Sequence, residues 1–191
     1  MTTSRVLLWC GLDEWRAECV SVALHEDRLE ARGIQLGSER LPYRLDYELD
    51  TGPGFVTTRL LLTATGDGWS RGLDLRRDGD GAWQLPGTGA GAEELGAPGG
   101  DPGDLEGALD CDLAFSPLTN FMPIRRDAGG PADYSMAWVS VPDLRVHRAE
   151  QRYEPLGERR VRYSDDTGFT ADLELDDEGF VERYPGLAQR V

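Results

Sequence analysis

Strict alternation of apolar and polar residues constrains this chain more than any other feature. In "YRLDYEL" (43–49), Tyr43, Leu45, Tyr47 and Leu49 fall on one side, and Arg44, Asp46 and Glu48 on the other. That period buries one face of a pleated strand and wets the other, whereas a helix would scatter both sets around its axis. "ECVSVAL" (18–24) sets Val20, Val22 and Leu24 against Cys19, Ser21 and Ala23. "RLLLTAT", "GLDLRR", "SMAWVSV", "VRYSDD" and "ADLELDD" continue the pattern, and "TGPG" (51–54), "DGDG" (78–81) and "DEG" (177–179) supply the turns between them. The expected class is mostly β and antiparallel. Helices are expected only as short pieces, one after Pro185 and one around 104–108.

A chain of 191 residues can bury one good core, or one core made from two similar halves. "RLLLTATGDGWSRGLDL" (59–75) aligns without gaps to "RRVRYSDDTGFTADLEL" (159–175), with Arg59/Arg159, Gly68/Gly168, Leu73/Leu173 and Leu75/Leu175 identical. A chance match of two generic hairpins is one account. A duplicated meander is the other, and it also removes exposed strand edges, because two curved half-sheets can pair into a closed or nearly closed roll. The expectation is a single domain over 1–191, made of two pseudo-repeated halves at about 1–84 and 105–191. The segment between them, "LPGTGAGAEELGAPGGDPGD" (85–104), is dominated by Gly, Ala and Pro, so it is expected to be a flexible loop.

Charge and motif content narrow the function. The net charge is −15 and all 20 basic residues are arginine, so most of the surface repels nucleic-acid phosphates and anionic membranes. Three cysteines without a CxxC spacing argue against a disulfide framework or a structural zinc site. The opening "MTTSRVLLWCGLDEW" has an apolar run too short for a signal peptide, and no stretch is long enough to span a bilayer, so a cytoplasmic location is expected. There is no GxSxG, HExxH or phosphate-binding GxxxxGK[ST], and "DGDGAW" lacks the glutamate that closes a calcium loop. No metal or cofactor is expected.

Chemistry concentrates in "LDCDLAFSPLTNFMPIRR" (109–126). Strand alternation puts Asp110 and Asp112 on one face, roughly 6–7 Å apart. They can touch a ligand, act as a carboxylate pair, or simply cap the corner and pair with the arginines that follow. "SPLTN" supplies a turn, and the residue before Pro123 is biased to extended backbone, so "MPIRR" is expected to continue as a strand. Arg125 and Arg126 would then face opposite ways, with Arg125 inward and suited to bidentate pairing with a carboxylate or a ligand's oxygens. Aromatic residues on nearly every strand, taken together, suggest an apolar cavity with polar tips.

The 109–126 block, together with "QRY" (151–153) and "GFVERYPGLAQRV" (179–191), resembles the bacterial glycolipid-binding protein family, first defined as a domain of unknown function. The likeness runs from Trp15 and Glu18 to the last residue, and the chain departs from the family chiefly in the 85–104 insertion. The resemblance implies a β-rich, duplicated half-barrel similar to carriers that shield lipid chains. The expected function is therefore non-enzymatic binding of a glycolipid or similar amphiphile, oriented by Asp110, Asp112, Asn120, Arg125 and Tyr153. The rivals are a carboxylate enzyme acting on a glycosyl or lipid substrate, and a structural interaction module. The oligomeric state is not legible.

Overall fold

The computed structural model describes residues 2–38, 40–127 and 129–191. Its strands are β1 (Thr3–Gly11), β2 (Arg16–Leu24), β3 (Leu29–Gly37), β4 (Tyr43–Thr51), β5 (Thr57–Gly66), β6 (Trp69–Arg77), β7 (Trp83–Gln84) and β8 (Gly87–Ala90), followed by β9 (Asp110–Leu113), β10 (Ala132–Val139), β11 (Val146–Gly157), β12 (Arg160–Asp165), β13 (Thr170–Leu175), β14 (Val181–Tyr184) and β15 (Ala188–Arg190). The one α-helix among the described residues is α1 (Phe121–Arg126), preceded by a 3-10 turn at Pro117–Asn120. The class is thus mostly β, as the alternation predicts. In β4 the buried residues are Tyr43, Leu45, Tyr47, Leu49 and Thr51, every second position.

All the strands join one large sheet in the order β7-β6-β5-β4-β3-β2-β1-β15-β14-β13-β12-β11-β10-β9, with β8 added on β6. Neighbours are antiparallel except β9 and β10, which run parallel. Two meanders, β1–β7 and β10–β15, meet where β1 pairs with β15 through Trp9↔Arg190 and Gly11↔Ala188. No ladder joins β7 to β9 among the described residues, so the sheet is open. Its far end nevertheless comes round against the start of β5: Thr57 N donates to Leu109 O (3.2 Å) and Cys111 N to Thr57 Oγ1 (3.1 Å). The segments 59–75 and 159–175 both fold as hairpins, β5–β6 and β12–β13. Their registers differ by one residue from the ungapped alignment, with Arg59 opposite Arg76 but Arg160 opposite Glu174.

Three local expectations are corrected. The 85–104 segment is not a structureless loop. It forms β8, a 3-10 turn at Glu93–Leu95 and the start of another at Pro102–Leu105. Gly, Ala and Pro bring few anchors of their own, but Arg71 supplies one from β6. Its guanidinium donates to Ala90 O, Gly91 O, Ala92 O and Gly96 O at 2.7–3.1 Å, while Leu95 and Leu105 are buried. The residues after Pro185 form β15, not a helix, because an open edge of β1 is there to pair with. "MPIRR" is helical, not extended: Pro123 sits in the first turn of α1, where a missing N–H costs nothing.

The two meanders bury different side chains. Leu45, Leu49, Leu60, Leu62, Leu73 and Leu75 belong to one core cluster, while Tyr134, Met136, Tyr153, Tyr163, Leu173 and Tyr184 belong to the other, under Ile124 of α1.

Candidate functional site

The corner 114–126 crosses from one meander to the other, and its polar side chains are spent on both. Towards the first, Ser116 Oγ donates to Glu18 Oε1 (2.6 Å) and Gln35 Nε2 to Ala114 O (3.1 Å). Tyr47 also donates to Glu18 Oε1 (2.5 Å). Its ring lies over Gly33 on the neighbouring strand, where a Cβ would come within 2.3 Å of it, so only glycine lets this hydroxyl reach Glu18. Towards the second meander, Thr119 Oγ1 donates to Asp112 Oδ1 (2.7 Å) and Gln151 Nε2 to Asp112 Oδ2 (2.6 Å). The Tyr153 hydroxyl is 3.1 Å from Asn120 Oδ1 and 3.0 Å from Gln151 Oε1.

The two aspartates of "LDCDL" have different fates. Asp110 is fully buried and receives both arms of the Arg126 guanidinium, at 2.7 and 2.8 Å. Burial pushes its carboxyl up while Arg126 pulls it down. Arg126, which also donates to Gly54 O (2.9 Å), is therefore the inward arginine. Arg125 is exposed and makes no ion pair or hydrogen bond among the described residues. This reverses the strand-based assignment, because on a helix successive side chains are about 100° apart and only Arg126 faces β9. Asp112 is partly exposed, and burial against its surroundings raises its carboxyl to about 6 despite the bonds from Thr119 and Gln151.

Asp112 and Asn120 border a cleft of about 180 Å³ walled by Trp138, Tyr163, Phe169 and Tyr184, with Asp165 and Leu187 completing the rim. Tyr163 packs 5.9 Å from Tyr184 and 6.1 Å from Phe169, ring centre to ring centre, and 5.5 Å from Tyr153 behind them. A second cleft of about 220 Å³ lies beside α1, and it holds Arg125 and Tyr153 together with Ile124, Val161, Leu175 and Arg160. The five residues singled out from sequence are thus divided. Asp112 and Asn120 line the aromatic cleft, Tyr153 stands behind it and lines the other cleft with Arg125, and Asp110 is sealed under Arg126.

Sequence reasoning expected aromatic residues, Trp138, Tyr163 and Tyr184 among them, to line a cavity only as a group; it did not single out these walls, and it missed Asp165 and Phe169, because the residues come from separate strands and turns that only the sheet order brings together. It also missed Glu18, whose Oε2 is buried without a hydrogen-bond partner and whose carboxyl is pushed up to about 7 by burial. A signal existed: Glu18 shares the apolar face of β2 with Val20 and Val22, an expensive place for an acid.

Aromatic faces with acid and amide oxygens between them suit a polyhydroxylated ring. Its C–H face lies on the π surface and its hydroxyls donate to carboxylate and amide oxygens. A family described as "Putative glycolipid-binding" matches residues 6–190. Comparison with curated proteins finds no match. Among solved structures, the crystal structure of a DUF1089 family protein from Pseudomonas aeruginosa superposes with a TM-score of 0.71 at 28% identity, covering 91% of this chain and 92% of that one.

Proposed function

Because the chain belongs to the glycolipid-binding family, we propose that it binds a neutral glycosyl head group of an amphiphile in the aromatic cleft and does not turn it over. The observation that carries this reading is the convergence of Asp112, Asn120 and Asp165 with Trp138, Tyr163, Phe169 and Tyr184 around about 180 Å³. That space is below the ~300–1,000 Å³ of pockets that enclose drug-sized ligands, so it suits one sugar ring and leaves an acyl chain outside. Asp112 and Asn120 accept from ring hydroxyls. Tyr153 and Gln151 orient them from behind, and Asp110 with Arg126 holds the strand and helix that carry them. The ion pair on Asp110 supports binding over catalysis, since a carboxylate committed to a bidentate arginine has no proton to exchange. The two meanders form two related halves in this reading, and overlaying β10–β14 on β3–β7 tests the relation.

The functional test is titration of wild-type protein with a panel of methyl glycosides, followed by tryptophan fluorescence, since Trp138 lines the cleft. At least one glycoside should bind. Asp112→Asn and Asn120→Ala should each weaken it by about 1–3 kcal/mol. Saturable binding unaffected by both substitutions would move the site elsewhere. Sugar released on long incubation with a glycolipid, and not by Asp112→Asn, would make the protein an enzyme.

A further inference from the structure

At the mouth of the aromatic cleft the chain leaves large apolar side chains in water. Leu12 is 47% exposed and Trp15 66% at the β1–β2 turn, and Phe169 is 44% exposed at the β12–β13 turn. These turns lie at one end of the sheet. Leu12 N donates to Leu187 O (3.0 Å), and Leu187 lines the cleft with Phe169. Phe115, another rim residue, lies under the Arg16 guanidinium at 4.3 Å, next in sequence to Trp15. No helix among the described residues is long and apolar enough to cross a membrane.

From this arrangement we infer that the Leu12–Trp15 turn and Phe169 dock on the surface of an electrically neutral lipid bilayer. The cleft is thereby presented to head groups whose acyl chains stay in the membrane. The inference rests on the head-group reading above and supplies what that reading lacks, a place for the tail. Indole is the side chain best suited to the layer between water and hydrocarbon, having a large apolar body and a single N–H. Three partly exposed side chains on two turns offer less than about 500 Å², whereas a stable protein partner needs about 800 Å² on each side. Charge selects the kind of bilayer. Asp13, between Leu12 and Trp15, is paired with Arg16, but Glu14 beside it and Asp166 in the same turn as Phe169 are both exposed, so an anionic surface is repelled. The net charge of −15 acts in the same direction.

The test uses the full chain with vesicles of phosphatidylcholine containing a monoglycosyl diacylglycerol, in parallel with the methyl glycoside of the same sugar. Leu12→Ser and Trp15→Ser lie outside the cleft. Combined, they should weaken vesicle binding about tenfold or more while leaving methyl glycoside binding and the melting temperature unchanged. Adding phosphatidylglycerol to the vesicles should weaken binding further, and low salt should accentuate the effect. Unchanged vesicle binding in the double variant would overturn the docking surface even if the glycoside binds. Loss of vesicle binding in the double variant without any glycoside binding would uphold docking and refute the head-group reading. A lipid-free dimer that dissociates on Trp15→Ser would overturn it in favour of a second copy of the chain.

Discussion

The first meander is filled by leucine and the second by tyrosine, and the two fillings serve different ends. Leu45, Leu49, Leu60, Leu62 and Leu75 lose all contact with water and Leu73 nearly all, and none carries a polar atom that needs a partner. Tyr134, Tyr153, Tyr163 and Tyr184 stand in a connected row of rings, and each brings a hydroxyl into the interior. Tyr134 donates to Asp127, Tyr153 reaches Asn120 and Gln151, and Tyr163 lies 3.4 Å from Asp165. The tyrosines of the first meander support the same point. Tyr43 and Tyr47 turn their hydroxyls to Gln35 and Glu18, and those residues bond to the 114–116 stretch of the corner. Polar interior contacts therefore gather along one line, with the corner in the middle. A leucine core buys stability alone, while a tyrosine core adds a floor that can recognise something.

The most damaging way to break the contrast is to break the corner that joins the two halves. Asp110→Asn leaves Arg126 without its counter-ion, and Arg126→Gln leaves a buried carboxylate. Each should cost about 3–5 kcal/mol in urea unfolding. Arg125→Gln, one residue away and unpaired, should stay within about 0.5 kcal/mol. Equal costs at 125 and 126 would restore the strand-like geometry that the helix replaces.

Next comes the contrast itself. Leu62→Ala in the first core should cost about 2–5 kcal/mol through a cavity. Tyr163→Phe in the second should cost only about 0.5–1.5 kcal/mol, because it removes a hydroxyl and leaves the ring packing. If Tyr163→Phe is as costly as Leu62→Ala, the tyrosine row is structural in the same sense as the leucines.

Glu18 gives the most diagnostic effect, a pH dependence. Burial raises its carboxyl from 4.5 to about 7, so the folded state holds this proton more tightly than the unfolded chain does. The stability it contributes is fully present below pH ~4.5 and is lost as pH rises through about 7. Glu18→Gln cannot titrate. Wild type should therefore lose about 2–3 kcal/mol relative to Glu18→Gln between pH 4 and pH 8, measured by chemical unfolding at each pH. A parallel course for the two proteins would show that Glu18 is not held as a buried acid.

Much of this arrangement was legible early. Alternation in 43–49 and 18–24 gave the strands and their buried faces, and the 109–126 block stood out as the place where polar residues interrupt an apolar run. Other features failed for identifiable reasons. The choice between Arg125 and Arg126 turned on whether the three residues after Pro123 continue as strand or helix, and the proline tolerates both. The 85–104 segment looked unanchored because its anchor, Arg71, lies 19 to 25 residues before the carbonyls it holds.

The sequence by itself determined the period of two, the burial of every second residue on β4, and the membership of the glycolipid-binding family, because these depend on local order along the chain. Tertiary structure alone decided which aspartate is sealed and which is offered. Asp110 and Asp112 share one strand face and one neighbourhood in sequence. One meets a guanidinium from α1, and the other meets Thr119, Gln151 and the open cleft. A carboxylate's role is set by the charge and solvent around it, and those neighbours come from strands and a helix that only the folded sheet brings together.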